Sequence, residues 1–267
     1  MSKARGITYA EIPNPGSTEI SGYDPSTTYR GYVDPAGGGA ATRLYIYSDY
    51  TGWDSDPDLI SIHIQGNTYN AILLPATIAG QIREQSMASF GTSVVLGADF
   101  TAGYAEAMTT LRADCDYIES HWPGVPWTIT AHSAGGDYAA HLAEEYGVPF
   151  LSIEGHLDWT TADLNGAPWT TVETNARVNA GITEPVAPEY NSWPLSPSSP
   201  ERYIIHHDDD DKVHADVATA HIAACKNLGV YCRYDLISEA AAAAHTPWEK
   251  VNMDGVRDWF DHLRATL

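Results

Sequence analysis

"WTITAHSAGGDYAAHLAEEYG", residues 127–147, runs from an apolar stretch through a turn of small residues into a helical pattern, and Ser133 stands at the apex of that turn. The first six residues read as a short buried strand. Gly147 is placed to end the helix that follows. A serine held in a strained backbone conformation between strand and helix needs small residues two positions before and after it, because these meet across the turn. Ala131 and Gly135 fill those places, so the G-x-S-x-G pattern reads A-x-S-x-G, and Gly136 lets the new helix lie close to the strand. The backbone N–H of Ala134 would face a developing oxyanion, helped by the helix dipole. Serine before a helix is also an ordinary N-cap. The turn therefore reads as catalytic only if an acid and a base follow in the right places.

Working outward, strand and helix signals alternate. "ATRLYIYS" (41–48) and "LISIHIQG" (59–66) read as strands, and "NAILLPA" (70–76) as a third strand or the start of a helix. Residues 77–90 carry helical spacing, and "TSVVLGADF" (92–100) is a buried-strand pattern. A helix follows with its apolar face on Ala107, Leu111, Cys115 and Ile118. Beyond the quoted stretch come the strand "VPFLSIEG" (148–155), the strand "ERYIIHH" (201–207), the helix "ADVATAHIAACKNLG" and the strand "VYCRYDLI" (230–237). A terminal helix is marked by Val256, Trp259, Phe260 and Leu263. Such a series predicts an α/β fold, with a mostly parallel central sheet covered by helices on both faces. Residues 156–200 break the rhythm with Trp159, Trp169, Tyr190, Trp193 and six prolines, as a small cap or lid inserted into a single domain of residues 1–267 would.

Composition narrows the function. A chain of 267 residues with 43% hydrophobic residues suffices for one sizeable core. Thirty-five acidic against fourteen basic residues give a net charge of −21, which repels phosphate backbones and anionic lipid and argues against nucleic-acid or membrane-surface partners. Cys115, Cys225 and Cys232 show no metal-ligand spacing and suit a reducing compartment. "MSKARGITYAEIPNPG" lacks the apolar core of a secretory signal, and no window has the length of a membrane span, so the expectation is a cytoplasmic protein without membrane insertion.

Serine at its free pKa is a poor nucleophile and needs an imidazole to take its proton, and the imidazole needs a carboxylate to fix its tautomer. In a strand–elbow–helix protein of this kind the acid and then the histidine follow the serine on loops after late strands. "YIIHHDDDDKVHADVA" supplies an acid and "AAAAHTPWEK" a histidine, His245. His132, beside the serine, suits packing and hydrogen bonding, and His141, His214 and His221 fit helix faces. His206, His207, the aspartates and His214 also offer a rival Ca²⁺ or Zn²⁺ site, which ranks below the triad because consecutive aspartates point in divergent directions.

Here the chain resembles the α/β-hydrolase serine esterases, in particular small carboxylesterases and arylformamidase-like members. Their loop I-I-H-G-x-x-D-x-x-V is matched from Ile204 to Val213 with His207 in place of glycine, and the resemblance extends over most of residues 93–265 and more faintly from residue 59. It implies Asp210 as the triad acid and Val213 as an apolar anchor, the other aspartates of the run being solvated. Glu154 sits where some members of the fold place their carboxylate and is a rival acid, as are Asp208, Asp209 and Asp211, one or two residues from Asp210. The second oxyanion donor would come from Gln65, Gly66 and Asn67, where relatives often carry His-Gly-Gly, or from the turn at residues 75–78.

Together these observations imply a serine hydrolase with the triad Ser133, Asp210 and His245, an oxyanion hole of Ala134 with Gly66 or Asn67, and no cofactor or metal. A neutral small-molecule ester is the expected substrate, with Trp159, Trp169 and Trp193 lining its pocket. Cleavage of an amide or aryl formamide on the same triad is the alternative, and a non-catalytic binding protein of this fold is the reading from another class.

Overall fold

The computed structural model of the chain describes residues 29–33, 42–47, 59–64, 93–98, 104–133, 135–157, 195–208, 210, 213–238 and 253–267. Within them lies one eight-stranded sheet in the order β1-β2-β4-β3-β5-β6-β7-β8. The strands are β1 (Tyr29–Val33), β2 (Thr42–Tyr47), β3 (Ile60–Ile64), β4 (Ser93–Ala98), β5 (Trp127–His132), β6 (Phe150–Ile153), β7 (Arg202–His207) and β8 (Cys232–Ile237). β2 runs antiparallel to both β1 and β4, and every pairing from β4 through β3 to β8 is parallel. The mostly parallel sheet expected from the strand–helix alternation is therefore present. The antiparallel turn at β1 and β2 has no signature in the apolar pattern, since alternation along one strand does not encode its neighbour's direction.

Among the described residues four helices accompany this frame: α1 (Tyr104–His121), α2 (Gly135–Tyr146), α3 (Ala215–Leu228) and α4 (Met253–Thr266). Side chains on successive strand residues point to opposite faces, and this divides the core in two. Ile60, Ile62, Ile64, Ile129, Phe150 and Ile204 pack with α1, α2 and α3 on one face. Leu59, Leu151, Ile153, Tyr203 and Ile205 pack on the other face with Val256, Trp259, Phe260 and Leu263 of α4. The helical spacings that carried the prediction are the buried ones: Ala107, Leu111, Cys115 and Ile118 of α1 all lie inside. β8 is an edge strand, with Tyr234 and Leu236 exposed.

One charged contact lies deep in this core. Arg202, at the start of β7, is fully buried and pairs with Glu144 of α2, whose carboxylate also accepts a hydrogen bond from Ser199 Oγ at 2.9 Å. Burial pushes the guanidinium down to about 10, while the nearby Cys225 and Cys232 act in the opposite direction. All three cysteines are free thiols. Among the described residues no helix is long and apolar enough to cross a membrane.

Strand order also determines where a ligand can sit. β3 connects towards β4 on one side, whereas β5 leads towards β6 on the other, so the connections diverge between β3 and β5. A crevice forms outside the carboxyl ends of strands at such a switch point. Ile64 is in register with Ala131, so β3 and β5 end side by side there.

Candidate active site

Ser133 follows the last residue of β5, at the switch point. Its φ is +53°, a left-handed conformation that L-residues other than glycine, asparagine and aspartate seldom adopt. Three backbone hydrogen bonds hold it there. Its N–H donates to the Ile153 carbonyl at 3.4 Å, and its carbonyl accepts from Gly136 N–H at 3.0 Å and from His156 N–H at 2.7 Å. The small residues around it are required by contact. A Cβ built on Gly136 would stand 2.7 Å from Gly155 Cα and 2.8 Å from the His156 carbonyl oxygen, so α2 begins against the bare backbone that follows β6.

The first turn of α2 is anchored from the opposite side. Asp137 is fully buried near the helix N-terminus, where a carboxylate is favoured by the dipole. Tyr104 lies near it at the start of α1; burial, then the charge of Asp137, pushes the phenol well above its ordinary range. The Tyr104 ring stacks on Tyr138 at 4.7 Å between centroids. His141 Nε2 lies 3.8 Å from Asp137 Oδ1.

The acid turn leaves β7 two strands away. Asp210 is 6% exposed. Its Oδ1 accepts from Val213 N–H at 3.1 Å, and its own N–H donates to the His207 carbonyl at 3.4 Å. His206 Nε2 donates to the Val213 carbonyl at 3.0 Å and lies 3.7 Å from Asp210 Oδ2. Val213 is buried, as the resemblance implied for an apolar anchor. Asp208 is exposed, so two aspartates only two residues apart face solvent and interior respectively. Among the described residues, no group of three or more histidine, cysteine, aspartate or glutamate side chains is placed to hold a metal ion.

Glu154, a rival acid, has a second positive φ, +51°, and is fully buried. Its Oε1 accepts a short hydrogen bond from Nδ1 of His207, which is also fully buried. Sequence reading noticed each residue separately, Glu154 as a possible acid and His207 as the replacement for a glycine, but not that they are partners. Their separation of 53 positions along the chain removes any local signal.

His214 precedes α3 as its N-cap residue and is not on a helix face, whereas His141 and His221 are on α2 and α3. His245, Ala134, Gly66, Asn67, Trp159, Trp169 and Trp193 lie outside the described residues, as do the 75–78 turn and almost all of the expected cap. A cavity lined by Trp122, Pro126, Trp127, Val148 and Pro149 opens at the amino ends of the strands, the far end of β5 from Ser133.

Comparison with known proteins bears on the fold. No family model matches the sequence, and no curated protein matches it. Solved structures do match in shape. A truncated carbohydrate esterase from gut microbiota superposes with a TM-score of 0.70 at 14% identity, over 90% of this chain and 98% of that one. An α/β-hydrolase enzyme from a Medee basin deep-sea metagenome superposes at 0.62 with 13% identity, over 90% and 99% of the two chains. The fold is the α/β-hydrolase fold. A bifunctional acetyl ester-xyloside hydrolase from Caldicellulosiruptor lactoaceticus shares it, with a TM-score of 0.64 and 12% identity over 93% of each chain. In the sheet, Ser133 follows β5 and Asp210 follows β7, two strands further on.

Proposed function

We propose that the protein is a serine hydrolase that cleaves a neutral carboxylic ester through an acyl-enzyme. The observation that carries this reading is the backbone of Ser133. A non-glycine residue at φ +53° between a strand and a helix, held by hydrogen bonds from α2 and from the segment after β6, has the strained turn geometry of a nucleophile elbow. The neighbouring folds, among them a carbohydrate esterase and an acetyl ester-xyloside hydrolase, support ester chemistry.

In this mechanism Ser133 Oγ attacks the ester carbonyl while His245 takes its proton, and Asp210 orients the imidazole and stabilises its cation. The tetrahedral oxyanion is held by the N–H of Ala134 and a donor from Gly66 or Asn67. That loop follows β3, whose end lies beside the end of β5. His245 belongs to the segment after β8, and the register of His207 with Ile237 brings that segment's origin next to the acid turn. Collapse of the intermediate expels the alcohol with the proton from His245, and a water deprotonated by the same imidazole releases the acid. No cofactor or metal takes part. Trp159, Trp169 and Trp193, in a cap spanning 156–200, line the pocket, and the net charge of −21 favours a neutral substrate.

The test is hydrolysis of short and medium p-nitrophenyl esters by the wild type, Ser133→Ala, Asp210→Asn and His245→Ala, with and without a chelator. Each variant should lose on the order of 10³-fold or more in kcat, with no effect of chelator. Turnover that survives Ser133→Ala, or that chelation abolishes, refutes the assignment.

A further inference from the structure

The buried Glu154–His207 pair has no part in the proton transfers above, yet it lies between the groups that perform them. Each flank of Glu154 is tied to the nucleophile: Ile153 accepts from Ser133 N–H, and His156 donates to the Ser133 carbonyl. Glu154 is thus the apex of a hook around the serine's backbone, bent by its own left-handed φ and pressed through Gly155 against Gly136. Its partner His207 ends β7, and the His207 carbonyl accepts from Asp210 N–H. Ser133 is thus linked to Asp210 by hydrogen bonds joined through short pieces of backbone: from Ser133 to Ile153 and His156 on either side of Glu154, from Glu154 to His207, and from the His207 carbonyl to Asp210 N–H.

We infer that Glu154 and His207 are positioning residues, which fix the separation between the nucleophile turn and the acid turn. The inference rests on the serine-hydrolase reading. A fully buried carboxylate and imidazole contribute little net stability, because apolar side chains of similar volume fill such a site equally well. What an apolar pair cannot supply is a single directional contact between two loops that belong to different strands. The backbone already joins the hook to β7, through Glu154 N–H and the Ile205 carbonyl at 2.9 Å, and the side-chain pair carries that tie on to the last residue of β7, from which the acid turn departs; without it, the 207–210 turn loses its side-chain tie to the hook. The imidazole that Asp210 orients then no longer meets Ser133 at the productive distance.

The experiment compares kcat, KM, thermal midpoint and the rate of Ser133 labelling by a fluorophosphonate in four proteins: wild type, Glu154→Gln, the double variant Glu154→Leu/His207→Phe, and Ser133→Ala. The double variant should fold and keep KM within about threefold while kcat and the labelling rate fall together by about 10²-fold, the loss expected of a misplacement near 1 Å. Glu154→Gln should recover most of that loss, because an amide oxygen still accepts from His207 Nδ1. If the double variant does not fold, Glu154→Ala takes its place under the same criteria. A folded variant with kcat within threefold of wild type overturns the inference, as does Glu154→Gln falling as far as the double variant. If Ser133→Ala is inactive while the double variant turns over normally, only the positioning role is lost. Turnover by Ser133→Ala removes the serine mechanism and this inference with it.

Discussion

Gly136→Ala adds one methyl group to the place where helix α2 meets the backbone after β6. The new Cβ would stand 2.7 Å from Gly155 Cα and 2.8 Å from the His156 carbonyl oxygen, whereas ordinary contact begins at 3.4 Å. Both neighbours are backbone, so no side chain can rotate aside, and the two segments must part by about 0.7 Å. That movement stretches the His156 N–H bond to the Ser133 carbonyl, now 2.7 Å, towards the limit of a useful hydrogen bond. Overpacking costs roughly 1–3 kcal/mol and the weakened buried bond about 1 kcal/mol. Alanine's better helix propensity returns up to about 1 kcal/mol. The clash wins, leaving a net loss of about 2 kcal/mol, or roughly 4–8 °C in Tm for a chain of this size. Because the displaced bond belongs to the nucleophile's own carbonyl, kcat should fall by about 10²-fold as well. Gly147→Ala is the control: its φ is +67° and a Cβ there meets nothing within 4 Å, so it should lower stability by about 1 kcal/mol and leave kcat unchanged. Differential scanning fluorimetry and ester hydrolysis on the three proteins decide the matter. A Gly136→Ala enzyme that melts with the wild type, or loses no more activity than Gly147→Ala, refutes the reasoning.

Two further expectations follow from the buried charges. Glu144→Ala strands the Arg202 guanidinium in the core and should lower unfolding stability in urea by about 3–5 kcal/mol, whereas Glu144→Leu/Arg202→Met should recover to within about 1 kcal/mol of wild type; equal losses in both would show that the charges themselves stabilise the fold. The Cys225 thiol is held below its ordinary value by the neighbouring Cys232 and by His221, whose Nε2 lies 3.5 Å from its sulfur, against the effect of burial. A thiol whose folded pKa lies below its ordinary 9.0 stabilises the fold fully above that ordinary value, and the contribution is lost as pH falls towards the folded pKa. The stability difference between wild type and Cys225→Ser should therefore grow as pH rises towards about 9, and a flat difference in urea midpoints would contradict the thiolate.

What was legible in the sequence depended on how local each signal is. The strand at 127–132, the turn at Ser133 and the helix after it are written in adjacent residues and needed no tertiary information. The burial of Val256, Trp259, Phe260 and Leu263 was equally visible as a helical stripe, although which face of the sheet they would cover was not. Asp210 came from a resemblance spanning ten residues, and the structure accounts for its inward turn by the Val213 N–H that it accepts. The Arg202–Glu144 and Glu154–His207 pairs escaped because each joins separate elements, and a charged residue at a strand end reads as a solvated one until its partner is known. His245 and the second oxyanion donor rest on order along the chain and on the strand ends from which their loops depart.

The hydrogen bonds that hold Ser133 have a consequence for protein engineering. Two of the three come from Ile153 and His156, about twenty residues beyond the turn, and the close approach of Gly136 to Gly155 is made with the same loop. Transplanting residues 127–147 onto another scaffold would therefore move the spelling of the turn and leave behind most of the restraints that bend it. The smallest unit that can be grafted runs from β5 through β6 to residue 156, and a designed hydrolase that borrows only the serine's immediate neighbours inherits a helix cap.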